Sequence, residues 1–186
     1  MLQKALRRFS IKDLIMIAAM AALGIAIKAV AAPLVLLVSA PLFIPGGSLA
    51  GGLYMMWLVL ASGITGKRGA AALTGLVQAI LVILTGLGGS HGLLSLVSYT
   101  LPGIAVDLML VISRHCVCCL PCAFFACILA NLCGTMATNI MFFSLPLLPL
   151  LLSLAAASFS GGLGGILAWR LLLALRKFNI VTTAEE

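Results

Sequence analysis

The sequence predicts an all-α integral membrane protein of six transmembrane helices with both termini cytoplasmic, and three observations lead there. Hydrophobic residues make up 63% of the chain, charged residues 8%, and the mean hydropathy is +1.29. Soluble domains are roughly 45–50% apolar and about 25% charged. Apolar runs at 13–32, 47–65, 69–87, 92–113, 117–143 and 150–173 approach the ~20 residues that cross a bilayer. The eleven Lys and Arg gather mostly at the ends of these runs, so their placement carries more information than the +7 net charge, and a nucleic-acid partner is not expected.

The order of the runs sets the topology. Lys4, Arg7, Arg8 and Lys12 precede the first run, Lys67 and Arg68 separate the second from the third, Arg114 separates the fourth from the fifth, and Arg170, Arg176 and Lys177 close the sixth. The loops near 33–46, GLGGSHG and SLPLLPL contain no Lys or Arg. With six spans every basic cluster falls on one side, which the positive-inside rule makes cytoplasmic. The whole chain, 1–186, reads as one membrane domain with a basic cytoplasmic N-terminus over 1–12, an outer loop over 33–46 and a cytoplasmic tail over 174–186.

The first run follows basic residues, as a secretory signal does, yet it is longer than the 7–15 apolar residues of such a signal and contains Lys28, so it stays in the protein. Its alanines recur every fourth residue. At about 100° per residue, Ala18, Ala22 and Ala26 drift only about 40° per step, while Lys28 lies about 120° from Ala22. The stripe is a smooth surface for another helix, and Lys28 either snorkels to the outer interface or faces the bundle interior or a wet cavity, because an ammonium in lipid is costly. Residues 33–46 read as an outer loop because Pro33, Pro41 and Pro45 break the run.

Further along, polar residues gather at the depth of Lys28. Tyr54 stands in the second span, Gln78 in the third, His91 and Tyr99 before and within the fourth, and Asn131 and Asn139 in the fifth. Asn131, Thr135 and Thr138 fall within about 60° on their helix. A polar pocket opening outward explains the set, although a lone Asn or Thr in a membrane helix more often ties two helices together. Asp107 lies nearer the cytoplasm and reads as a structural or coupling charge, paired with a basic residue. In the sixth span Ser153, Ala157, Gly161 and Gly165 read as packing inside the bundle, as do Gly47 and Gly51 in the second.

Chemistry is sparse. HCVCCLPC at 115–122 has ligand-type spacing, but thiols on the cytoplasmic side stay reduced and Cys suits a buried helix, so no metal and no cofactor are expected. Ser90 and His91 are adjacent without a further catalytic group, so no enzyme is expected. GITGKRG has Ala61 where a phosphate-binding loop needs its first glycine, and Arg68 where it needs Ser or Thr. Uphill movement of a solute therefore draws its energy from a partner or an ion. A stand-alone ion-coupled carrier or channel is the alternative, with Asp107 in the ion path.

The A-x-x-x-A stripe, the run IPGGSLAGGLYMMWLVLASGITGKRGAAALTGLVQAIL and the following GGSHGLLSLVSYTLPGIAVDL resemble the substrate-binding S component of an energy-coupling factor (ECF) transporter, a class of ABC transporter, over about residues 12–113. GGLYMMW and GKRGAAAL are most similar to the branch handling thiamin or its hydroxymethylpyrimidine precursor. The resemblance implies a multi-pass protein of the prokaryotic plasma membrane that captures a vitamin or precursor under outer loops. It also implies docking through Ala18, Ala22 and Ala26 on a transmembrane coupling subunit served by two cytoplasmic ATPases. The pocket candidates are then Lys28, Tyr54, Gln78, His91, Tyr99, Asn131 and Asn139. Asn, Gln and aromatic groups suit a heteroaromatic ring, whereas Lys28 favours a carboxylate or phosphate.

Overall fold

The structure, a computed structural model, describes residues 9–41, 45–86, 92–113 and 117–178. Among these residues six α-helices follow in order: α1 Ile11–Ser39, α2 Gly46–Thr65, α3 Ala70–Thr85, α4 Leu94–Ile112, α5 Leu120–Thr138 and α6 Leu147–Lys177. A π-helical turn, Asn139–Phe143, continues α5. Five helices, counting α5 with that turn, are long and apolar enough to cross a membrane. The exception, α3, has 16 residues, about 24 Å, where a span over 69–87 was expected.

A capping box starts α1: the Ser10 hydroxyl accepts the Lys12 N–H at 3.3 Å, and the Ser10 N–H donates to Asp13 Oδ2 at 2.7 Å. The helix then passes through Pro33 to Ser39, which corrects the outer loop expected over 33–46. Proline removes one helical hydrogen bond. Leu34, Leu36, Leu37 and Val38 are exposed beyond it, and an apolar flank in lipid satisfies its remaining backbone groups best as helix. The break falls instead at Ala40–Pro41, and 42–44 lie outside the described residues.

α2 packs against each of the other five helices. Its residues Met56–Gly63 are buried without interruption, so its second half forms the core. Close backbone approach brings α6 against it: a Cβ at Gly52 would sit 1.8 Å from the Ser160 carbonyl oxygen, and one at Gly164 would sit 2.2 Å from that of Gly52. Ser153, Ala157, Gly161 and Gly165 are buried, and the two glycines meet α5 backbone at Ile128 and Phe124. Small residues are what lets membrane helices pack this closely.

One end of the bundle is basic. Lys67 in the α2–α3 connection pairs with Asp13 at the start of α1, and Arg176 Nη2 at the end of α6 donates to the Val117 carbonyl at 3.2 Å. Near this end Asp107 of α4 accepts the Ala72 N–H at 2.9 Å. Gly69, the N-cap of α3, has no side chain to cap with, so the carboxylate of a neighbouring helix satisfies a donor of that first turn. The α1–α2, α3–α4 and α5–α6 connections at the other end contain no Lys or Arg.

Candidate functional site

Toward the non-basic end the helices enclose a half-open cavity of about 110 Å³. Its lining comprises Lys28 from α1, Gly47, Tyr54 and Met55 from α2, Gln78 from α3, Ser98 and Tyr99 from α4, and Asn131, Gly134, Thr135 and Thr138 from α5. The helical period produces this convergence. Residues 131, 134, 135 and 138 form one stripe of α5, and Lys28 continues the buried face of α1 made by Ile17, Met20, Ala21, Gly24 and Ile25. Gly47 meets nothing within 4 Å of a would-be Cβ. It borders the opening, unlike the packed Gly51.

Lys28 is held by aromatic groups. Its ammonium donates to Tyr99 Oη and lies 4.6 Å from the Tyr99 ring centroid and 5.8 Å from that of Tyr54, within the reach of cation–π attraction. Both tyrosine rings thus face Lys28, and among the described residues the cavity wall contains no Asp, Glu, His or Cys.

The remaining polar groups divide by whether the fold already uses them. Asn131 Nδ2 donates to the carbonyls of Ala157 at 2.8 Å and Ser48 at 3.4 Å, tying α5 to α6 and α2, and its Oδ1 fills the space over Gly51. Thr138 Oγ1 bonds back to the carbonyls of Gly134 and Thr135. In contrast, Thr135 Oγ1 is buried without a hydrogen-bond partner among the described residues. Gln78 is 5% exposed and likewise makes no hydrogen bond among them. A buried polar group without a partner is costly, so these two point to something that enters the cavity.

Of the residues predicted from sequence, Lys28, Tyr54, Gln78, Tyr99 and Asn131 come together here. Asn139 does not: its Oδ1 accepts the Leu145 N–H at 2.9 Å and closes the π turn. His91 lies outside the described residues. Ser98, Gly134 and Met55 went unnoticed in the sequence, since none is unusual in a membrane helix; the stripe containing Thr135 and Thr138 was the readable signal.

On the opposite flank of α1, Ala18, Ala22 and Ala26 are all exposed. With Ile11, Ile15 and Leu23, also exposed, they make a shallow apolar surface that nothing among the described residues covers.

Residues 12–133 match a family model described as the permease component of an ABC-type cobalt transport system. No curated protein matches the chain. A solved structure described as the crystal structure of an S-component of an ECF transporter is similar over 92% of this chain and 88% of that one, with a TM-score of 0.73 and 19% sequence identity.

Proposed function

The chain belongs to the family of permease components of ABC-type cobalt transport systems and has the fold of an ECF S-component, a multi-pass protein of the prokaryotic plasma membrane, and from that premise we propose that it is the solute-capture subunit of an ECF-type uptake transporter. It binds a small organic solute, a vitamin or vitamin precursor, in the cavity around Lys28. It then passes the solute on by docking Ala18, Ala22 and Ala26 against a transmembrane coupling subunit driven by two cytoplasmic ATPases. The basic end, with both termini, is cytoplasmic under the positive-inside rule, and the cavity then faces outward.

The cavity carries this reading, with Gln78 in its wall and the Thr135 hydroxyl left without a hydrogen-bond partner among the described residues. Recognition by a few polar groups in an otherwise apolar site is the usual pattern of small-molecule binding. Although the family description mentions cobalt, we do not propose a bare divalent cation as cargo. Among the described residues the wall offers no carboxylate, imidazole or thiolate, the ligands such an ion needs, and the Lys28 ammonium repels it. Tyr54 and Tyr99 suit stacking on a flat ring, Gln78 suits edge hydrogen bonds, and Lys28 suits an acceptor or anionic group. A heteroaromatic solute such as thiamin or its hydroxymethylpyrimidine precursor is the first to test.

Mass spectrometry of small molecules retained by the purified protein tests the reading. We expect one organic solute per chain, lost on Lys28→Ala and Gln78→Ala substitution. Retention of Co2+ in the cavity with no organic solute would overturn it.

A further inference from the structure

Three thiols meet at the basic end of the bundle, well away from the cavity. Cys118, Cys119 and Cys122 have sulfur atoms all within 4.8 Å of one another, and the nine residues from Cys122 to Asn131 separate them from the cavity by about 14 Å along α5. Local backbone geometry brings them together. Cys119 is the extended N-cap residue of α5 and Pro121 stands in its first turn, so the side chain at the cap folds over the residue three positions on. Cys118, four residues before Cys122, reaches the same spot.

We propose that Cys118, Cys119 and Cys122 form a three-thiolate site for a soft metal ion of the Zn2+ or Cu+ type. The Cys118 sulfur lies 3.7 Å from that of Cys122 and 3.8 Å from that of Cys119. A metal about 2.3 Å from each sulfur holds tetrahedral pairs about 3.8 Å apart. The third pair, Cys119 and Cys122, stands at 2.8 Å and opens by about 1 Å to match, a side-chain rotation within reach because Cys119 and Cys122 are only partly buried and Cys118 is exposed.

The surroundings favour the negative charge that thiolates bring. The cluster sits at the N-terminal, positive end of α5. Arg176 donates from Nη2 to the carbonyl of Val117, the residue preceding Cys118, and its buried Nε has no partner among the described residues. Of the neighbouring cysteines, Cys127 is fully buried and behaves as the small apolar filler expected from the sequence. The cluster does not. Soft thiolates at a surface that faces a reducing compartment select such ions.

Titration of the reduced full-length protein in detergent with Cd2+ tests the site, read by thiolate-to-metal charge-transfer absorption and by protection of the thiols from alkylation. We expect one Cd2+ per chain, protection of these three cysteines, and at least a tenfold loss of affinity in each of Cys118→Ser, Cys119→Ser and Cys122→Ser. Cys127→Ser and Cys133→Ser leave binding unchanged. Absence of stoichiometric binding to the wild-type protein, or binding that survives the Cys119→Ser, Cys122→Ser double change, overturns the proposal.

Discussion

At the scale of single residues, the cavity separates side chains that hold the bundle from those free for a solute. Asn131 belongs to the first group, with its amide shared between α6 and α2. Thr135 belongs to the second. Replacing Thr135 by Val should therefore weaken solute binding about 5- to 10-fold, the worth of one hydrogen bond, while the solute-free protein melts no lower, because an unpartnered buried hydroxyl has been removed. Asn131→Ala should instead lower the melting temperature in detergent by leaving two helices untied. Asp107→Ala removes the acceptor of the Ala72 N–H and should destabilise by about 1–3 kcal/mol, with solute affinity retained in the folded fraction. A loss of ion-dependent uptake confined to Asp107→Asn would instead favour a coupling charge. The sequence made Lys28, Gln78 and Tyr99 readable because polar groups in apolar runs are conspicuous. It could not show that Asn139 is engaged by the Leu145 N–H, since a π turn has no marked sequence signature.

At the scale of elements, α1 carries two surfaces. Its buried face leads to Lys28 and the cavity, and its exposed alanines lie on the opposite flank. The angular separation was legible from spacing alone, because a helix fixes about 100° per residue whatever surrounds it. The passage of α1 through Pro33 was not legible. Proline breaks helices in water, where the freed carbonyl is easily solvated, whereas in lipid the surrounding helical bonds have no better alternative. Two substitutions distinguish element roles. Ala22→Trp should leave melting temperature and solute affinity unchanged, as an exposed site allows, while abolishing uptake by the assembled transporter. Gly52→Ala should do the opposite kind of damage: its Cβ would overlap the Ser160 carbonyl at 1.8 Å, and overpacking of this kind costs about 1–3 kcal/mol, visible as a lower melting temperature. If Ala22→Trp impairs solute binding as strongly as Lys28→Ala does, the two surfaces are not independent.

At the scale of the whole molecule, the described helices gather the Lys and Arg of their connections at one end, and the cavity lies toward the other. The division of charge was visible in the loops, because basic residues are hard to translocate and their bias survives any detail of packing. The brevity of α3 was not visible: its apolar run continues to residue 87, but Gly86, with φ of 67°, ends the helix at Thr85. Under the proposed function, solute capture falls to this chain and energy supply to its partners. The most direct test of that division is solute accumulation in proteoliposomes, measured with and without the coupling subunit, the two ATPases and ATP. The chain alone should bind its solute and accumulate none, and accumulation should appear only when the partners and ATP are present. Accumulation by the chain alone, driven by an ion gradient, would contradict the account.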